Sequence, residues 1–393
     1  MQHETMNVSY SSVHPGAETT EIFFYDEFAN VFNALTQKKE VRAYDGSLIR
    51  TEEVRRIYVT DTNVAALPAV RSFLDSVSAK DSGSDSSGGS VTVILESGEK
   101  AKTIENVLKI VSAAINADMT RSSVFTGIGG GVITDMTAMA ASLFKRGAGL
   151  ELVPTTLLAM VDASIGGKTG CDYESYKNMI GTFYPARRIY MATEFLKSLP
   201  ESEFRSGLAE VVKTAMLYAP KLFQIAKDQK ADVEERNSDV LMQLVLRSAR
   251  SKAAVVERDL MESGERKQLN LGHTFGHALE TCAGLGVVPH GDAVAWGCAR
   301  ALELSTRLGL TEDASYKDEV FAVLESYGWS TEPQHPALSA LGLSREETAA
   351  RLLSAMRNDK KNTGKGICCV LQREMNSTVV QEVKDEDILA VLS

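Results

Sequence analysis

Three of the chain's six histidines, His273, His277 and His290, fall within eighteen residues. On a helix His273 and His277 stand four residues apart and share one face. Arg266 and Asn270 extend that face toward the N-terminus, while Leu269, Phe275, Ala278, Leu279 and Cys282 cover much of the rest. A stripe of Arg, Asn, His and His beside apolar residues suits the wall of a wet cavity better than a solvated face, which typically uses Lys and Glu. Neutral imidazole is the commonest metal ligand, and catalytic zinc takes three protein ligands and keeps a fourth position open. Two of these histidines and one distant carboxylate would meet that need. Glu210, in SGLAEVVKTAMLY, is a candidate; it stands one turn from Lys213, a spacing that equally suits an intrahelical ion pair. Spacing alone leaves open whether His273 or His277 is the ligand. His290 follows Pro289 at a turn into the next helix.

A second group of residues suits an anion. GIGGGVITD, residues 127–135, joins a strand-like run to a helix of small residues, so backbone N–H groups can approach a phosphate there. It departs from GxGxxG at Val132. Thr155, Thr156, Asp162 and the GGKTG run at 166–170 place further polar groups at strand ends, where ligands bind in α/β sheets. Lys252 lies on an apolar seam with Leu241, Val245 and Val255, where an unpaired ammonium is costly. Lys168, Lys177, Lys213, Arg146, Arg266 and the Lys360–Lys361 pair lie in or beside similar segments. Cations collected in this way point to a small anionic substrate carrying phosphate and carboxylate.

The overall balance sharpens that reading. With 42 basic against 52 acidic side chains the formal charge is −10, which argues against nucleic acid or an anionic membrane as the main partner. The five cysteines form no CxxC pair, so neither a disulfide framework nor a cysteine zinc site is expected, and a reducing compartment fits. The first twenty residues hold no apolar signal core, and no run of 18 apolar residues occurs. A cytoplasmic protein is the expectation.

The elements that must position these groups fall into two halves of the 393 residues. Strand-like runs at 21–25, 56–60, 91–95, 123–126 and 150–153 alternate with helical stretches such as 104–117 and 133–145, which predicts an α/β layer with a largely parallel sheet. Beyond about Glu194 the pattern becomes helical, at 239–259, 266–283, 293–308 and 316–327. Strands at 367–371 and 378–383 close the chain as a pair. The expected domains are 1–187, α/β, and 188–393, mainly α-helical. The KDSGSDSSGGS run at 80–90 reads as a surface loop without function.

GGGVITD, RGAGLELVPTTLLAMVDASIGGKTG, KNMIGTFYP, SGLAEVVK, NLGHTFGHALE, PHGDAVAWG and NDKKN, in this order, resemble the 3-dehydroquinate synthases of the sugar-phosphate cyclase superfamily. The likeness runs from about Arg56 to the C-terminal strands. It implies an NAD-binding N-terminal domain and a helical domain that binds metal and substrate, in a homodimer. The implied reaction turns 3-deoxy-D-arabino-heptulosonate 7-phosphate into 3-dehydroquinate and phosphate, with NAD oxidising transiently and returning its hydride. The implied metal ligands are Glu210, His273 and His290, around zinc or cobalt. NAD contacts would be Asp61, Asn63, Glu99, Lys102, Gly130, Gly131, Asp135, Thr155, Thr156 and Lys177. Substrate contacts would be Asp162, Lys168, Asn178, Lys213, Lys252, Arg266, Asn270, His277 and Lys361, with Arg146 reaching the phosphate of a neighbouring subunit's substrate.

The chain departs from the family pattern at Thr134, where a glycine is usual, at Asp172 and Tyr173 after GGKTG, and at Asp292 in place of the Glu of HGE. Three other readings make different demands. A cyclase for sedoheptulose 7-phosphate would not need the carboxylate-binding set Lys252, Arg266 and Asn270. An NAD- and metal-dependent polyol dehydrogenase would accumulate NADH and leave Lys168, Asn178 and Lys361 without a role. A non-catalytic binding protein would not need the set Glu210, His273 and His290.

Overall fold

A computed structural model describes residues 1–10, 18–36, 40–42, 48–50, 54–79, 90–174, 176–284, 286–311, 313–357 and 366–393. The 80–90 run, apart from Ser90, and the Lys360–Lys361 pair lie outside them. The chain divides into two compact units, Met1–Leu199 with Lys252–Met261, and Pro200–Ser251 with Glu262–Ser393.

In the first unit, β-branched and aromatic runs form a seven-stranded sheet. Its spatial order is Gln2–Ser9, Thr19–Tyr25, Arg188–Ala192, Gly149–Pro154, Val124–Gly129, Arg56–Asp61 and Val91–Leu95. All neighbours run parallel except Gln2–Ser9, which pairs antiparallel with Thr19–Tyr25. The central strands are buried along their length, as in a sheet covered on both faces. Each strand expected in this unit is present within three residues of its expected ends. Gln2–Ser9 escaped notice because QHETMNVS lacks an apolar alternation. Arg188–Ala192 lies just past the expected division at Arg187, yet hydrogen-bonds inside this sheet. Glu151 is buried within the sheet and offers one oxygen to Arg56 at 3.3 Å and the other to Arg188 at 3.2 Å, so the buried carboxylate has two cationic partners.

In the second unit, helices Glu201–Tyr218, His273–Ala283 and His290–Arg307 carry the motif residues. The expected continuous helix 266–283 is not formed. A 3₁₀ turn, Glu265–Asn270, ends there, and Gly272 takes φ +79° before a new helix starts at His273. The polar stripe of Arg266, Asn270, His273 and His277 is therefore split between two elements. The break has a packing cause, since a Cβ on Gly272 would stand 2.7 Å from the Val294 carbonyl and 2.8 Å from the Cys298 nitrogen. Strands Ile367–Glu374 and Ser377–Val383 pair antiparallel, as expected. Arg300, buried, donates to the Thr331 carbonyl and to the Val391 carbonyl at 2.9 Å, satisfying a C-terminal carbonyl of helix Asp385–Leu392.

Candidate functional site

The parallel strands of the first unit end together, and the residues that follow them gather at that edge. Asp61 closes strand Arg56–Asp61 and caps the next helical turn, its Oδ1 accepting the N–H groups of Asn63 and Val64 at 2.9 Å. Burial pushes its pKa up, and those two N–H donors work the other way. Gly130 and Gly131 follow strand Val124–Gly129 and open helix Gly131–Leu143, whose cap position makes no side-chain hydrogen bond. The first N–H groups of that helix are thus left to an outside acceptor. Space explains Gly129 and Gly130. A Cβ on Gly129 would meet Ile133 at 2.6 Å, and one on Gly130 would meet Thr156 at 3.0 Å. Thr155 and Thr156 follow strand Gly149–Pro154, and the Thr156 hydroxyl accepts the Ala159 N–H at 3.1 Å. Thr134, at the departing position, turns its hydroxyl back to the Gly131 carbonyl at 3.0 Å.

At this same edge Lys102 is buried and its ammonium donates to Asp135 at 2.7 Å and to Asn178 at 2.6 Å. Burial works against the ammonium, but Asp135 and Glu99 outweigh it and hold Lys102 above the ordinary lysine pKa. Burial pushes Asp135 the other way, toward protonation, with Lys102 opposing it. Asn178 lies on the hairpin Lys168–Tyr173 and Tyr176–Phe183, which also carries Lys168 and Lys177. Lys252 is buried and meets Asp162, at 2.6 Å from its carbonyl and 2.5 Å from its carboxylate, so this ammonium on an apolar seam is paired. Arg146 stands apart. It lies exposed at φ +65° past the C-terminal end of helix Gly131–Leu143, at the opposite end from Gly131.

In the second unit, three helices bring ligand-type atoms together. Glu210 and Lys213 face the same side of helix Glu201–Tyr218 and are almost fully buried. One Glu210 oxygen lies 2.5 Å from the Lys213 ammonium, so the ion pair that the spacing allowed does form. The other oxygen lies 3.6 Å from Nε2 of His273 and 3.6 Å from Nε2 of His290. Glu210, His273 and His290 each offer one donor atom within 4.8 Å of the others, and His277 is not among them. The His277 ring stands beside the group, 5.4 Å from His273 and 6.3 Å from His290 between ring centres.

The surroundings favour positive charge at this point. Burial disfavours an imidazolium at His290, yet Glu210 and Glu280 outweigh it and lift its pKa to about 9. His273 Nδ1 lies 3.2 Å from the Leu271 carbonyl; with Nδ1–H donating to that oxygen, Nε2 keeps its lone pair on the side of Glu210. A carboxylate oxygen and two imidazole nitrogens on separate helices make a donor set that fits zinc, which keeps one position open for water or substrate.

Sequence reasoning missed Glu280, buried with an oxygen 3.6 Å from Nδ1 of His290. Its signal was present, for Glu280 lies about two turns beyond His273 on the same helix. Asp292 proves to be a packing residue. Its carboxylate accepts from Arg205 at 3.2 Å and 2.5 Å and from the Trp329 indole at 3.1 Å. Asp292→Ala is expected to cost about 1–3 kcal/mol of stability with bound metal unchanged; thermal denaturation and elemental analysis on the same preparation check both parts. Arg266 is fully buried, and Asn270 donates to Glu262 at 2.6 Å.

Family models described as 3-dehydroquinate synthase N-terminal and C-terminal match residues 92–206 and 207–362. A 3-dehydroquinate synthase of Acidithiobacillus ferrooxidans is 40% identical over 323 residues, 82% of this chain and 83% of that protein. One from Halorhodospira halophila is 40% identical over 289 residues, 74% of this chain and 78% of its own length. Among solved structures, the 2-epi-5-epi-valiolone synthase of Streptomyces hygroscopicus subsp. jinggangensis, with NAD⁺ and Zn²⁺ bound, superposes with a TM-score of 0.78 at 24% identity, covering 97% of each chain. A 2-deoxy-scyllo-inosose synthase gives 0.78 at 19% identity over 99% of each chain. At those identities the two structures bear on the fold alone.

Proposed function

The chain belongs to the 3-dehydroquinate synthase family, and from that premise we propose that it converts 3-deoxy-D-arabino-heptulosonate 7-phosphate into 3-dehydroquinate and phosphate, as an NAD- and metal-dependent carbon–oxygen lyase. The observation that carries this reading is the meeting of Glu210, His273 and His290, donors from three helices, in a chain of this family.

Glu210, His273 and His290 would hold the divalent metal, zinc or cobalt. When bound, the metal would polarise a substrate hydroxyl and NAD⁺ would take up a hydride and give it back. The protein supplies position and field. Gly130 and Gly131 offer N–H groups to the cofactor's phosphates. Asp61 keeps Oδ2 for a cofactor hydroxyl, since Oδ1 is taken by the helix cap. Asn63, Glu99, Lys102, Asp135, Thr155, Thr156 and Lys177 complete the NAD set of the first unit, the nucleotide-binding domain in this reading.

Lys252, Arg266 and Asn270 would hold the substrate carboxylate, with Lys252 shared with Asp162. Lys168, Asn178 and His277 would hold the phosphate. Lys213, paired to Glu210, orients that carboxylate while Lys361 adds a further cation. The protein is assigned to the cytoplasm, where its five free thiols stay reduced, and no described helix is long and apolar enough to cross a membrane. It is assigned as a homodimer in which Arg146 serves the neighbouring subunit.

With NAD⁺ and Zn²⁺, purified protein is expected to release inorganic phosphate from the heptulosonate phosphate with no accumulation of NADH. Sedoheptulose 7-phosphate in a parallel assay should release little. Turnover of that sugar instead, or stoichiometric NADH, would overturn the assignment.

A further inference from the structure

The hairpin that carries Asn178 slips register between Tyr176 and Ile180. At the slip Asn178 takes φ +50°, a left-handed conformation that asparagine tolerates better than other side chains but that still needs local contacts to select it. Asp172, at one of the positions where the chain departs from its family, supplies the hold. Its Oδ1 accepts the Asn178 N–H at 2.8 Å. Its own N–H donates to the Lys102 carbonyl at 2.7 Å. The Asn178 side-chain oxygen then accepts from the Lys102 ammonium at 2.6 Å, and that ammonium also meets Asp135 at 2.7 Å. Three hydrogen bonds thus close a ring, with Asp172 donating to Lys102, Asn178 donating to Asp172 and Lys102 donating to Asn178.

We propose that Asp172 is a positioning residue, which holds Asn178 in its left-handed conformation and so ties the phosphate-binding hairpin to Lys102 at the nucleotide edge. The acceptor oxygen is what holds Asn178, because the bond that fixes it comes from a backbone N–H. Asparagine at 172 keeps an oxygen in that place. A hairpin stabiliser and nothing more would change melting temperature and leave the kinetic constants alone.

The proposal rests on the function assigned above only for its kinetic readout. Asp172→Ala is expected to raise KM for the sugar phosphate by about tenfold with kcat within about threefold, and Asp172→Asn to restore KM to within about twofold. In an Asn178→Gly background, where glycine takes a positive φ freely, Asp172→Ala should add no further KM penalty. Equal damage from Ala and Asn, additive penalties in that cycle, an unaltered KM, or loss of folded protein in the alanine variant would each overturn it. The crystal structure of Asp172→Ala separates this proposal from the functional reading. Asn178 should leave the left-handed region and Lys102 even if no sugar phosphate is turned over; Asn178 unmoved there defeats the proposal alone, whereas an inactive wild-type protein defeats the functional reading alone.

Discussion

Replacing His273 by alanine is expected to remove the bound metal and lower kcat/KM by about a thousandfold or more, while the protein stays folded. The magnitude follows from the several kcal/mol of charge stabilisation that a catalytic metal supplies, each 1.36 kcal/mol being about tenfold in rate. The choice of residue matters as much as the site. Glu210 is an inferior target because it is buried against Lys213 at 2.5 Å, and removing one member of a buried ion pair costs about 3–5 kcal/mol. His273 is only partly buried, opens its helix and leaves that ion pair intact. Metal content by elemental analysis, melting temperature and steady-state kinetics on one preparation decide the matter. A variant that retains one metal per chain and near-normal turnover would remove His273 from the ligand set.

A second large effect is expected from a single methyl group. Gly297→Ala places a Cβ 2.0 Å from the carbonyl oxygen of Gly272. That oxygen is backbone, so the clash is relieved only if helix His290–Arg307 moves away from the turn that starts helix His273–Ala283. The approach is close from both sides, since a Cβ on Gly276 would meet the Ala293 carbonyl at 2.9 Å. In an ordinary helix interior alanine gains about 1 kcal/mol over glycine. Here overpacking, at about 1–3 kcal/mol or more, should exceed that gain and reverse the sign. The displaced elements carry His273 and His290, so metal affinity should fall along with stability. Denaturant unfolding and chelator competition measure the two losses. Equal stability and affinity in the variant would mean that this contact is not tight.

Much of the site was legible because its chemistry is local. The imidazoles of NLGHTFGHALE and PHGD, the glycines of GIGGGVITD and the ammonium of Lys252 each carry a residue type whose burial or spacing needs a reason. Parallel strands could be read from apolar runs, since a sheet covered on both faces demands them. Gln2–Ser9 could not, because an edge strand with mostly exposed side chains follows no such pattern.

Residue order alone determined the alternating α/β half, the helical half and the short list of groups capable of metal and anion chemistry, because periodicity and side-chain type act over a few residues. It left three matters open, and each was decided by contacts between segments distant in the chain. Gly272 breaks the expected helix because the backbone of another helix passes too close for a side chain. His273 faces Glu210 while His277 stands aside, since the two helices meet at one rotation only. Asp172 gains its partners when Lys102 and Asn178, 76 residues apart, arrive at the same edge, and no local pattern encodes a meeting over that distance.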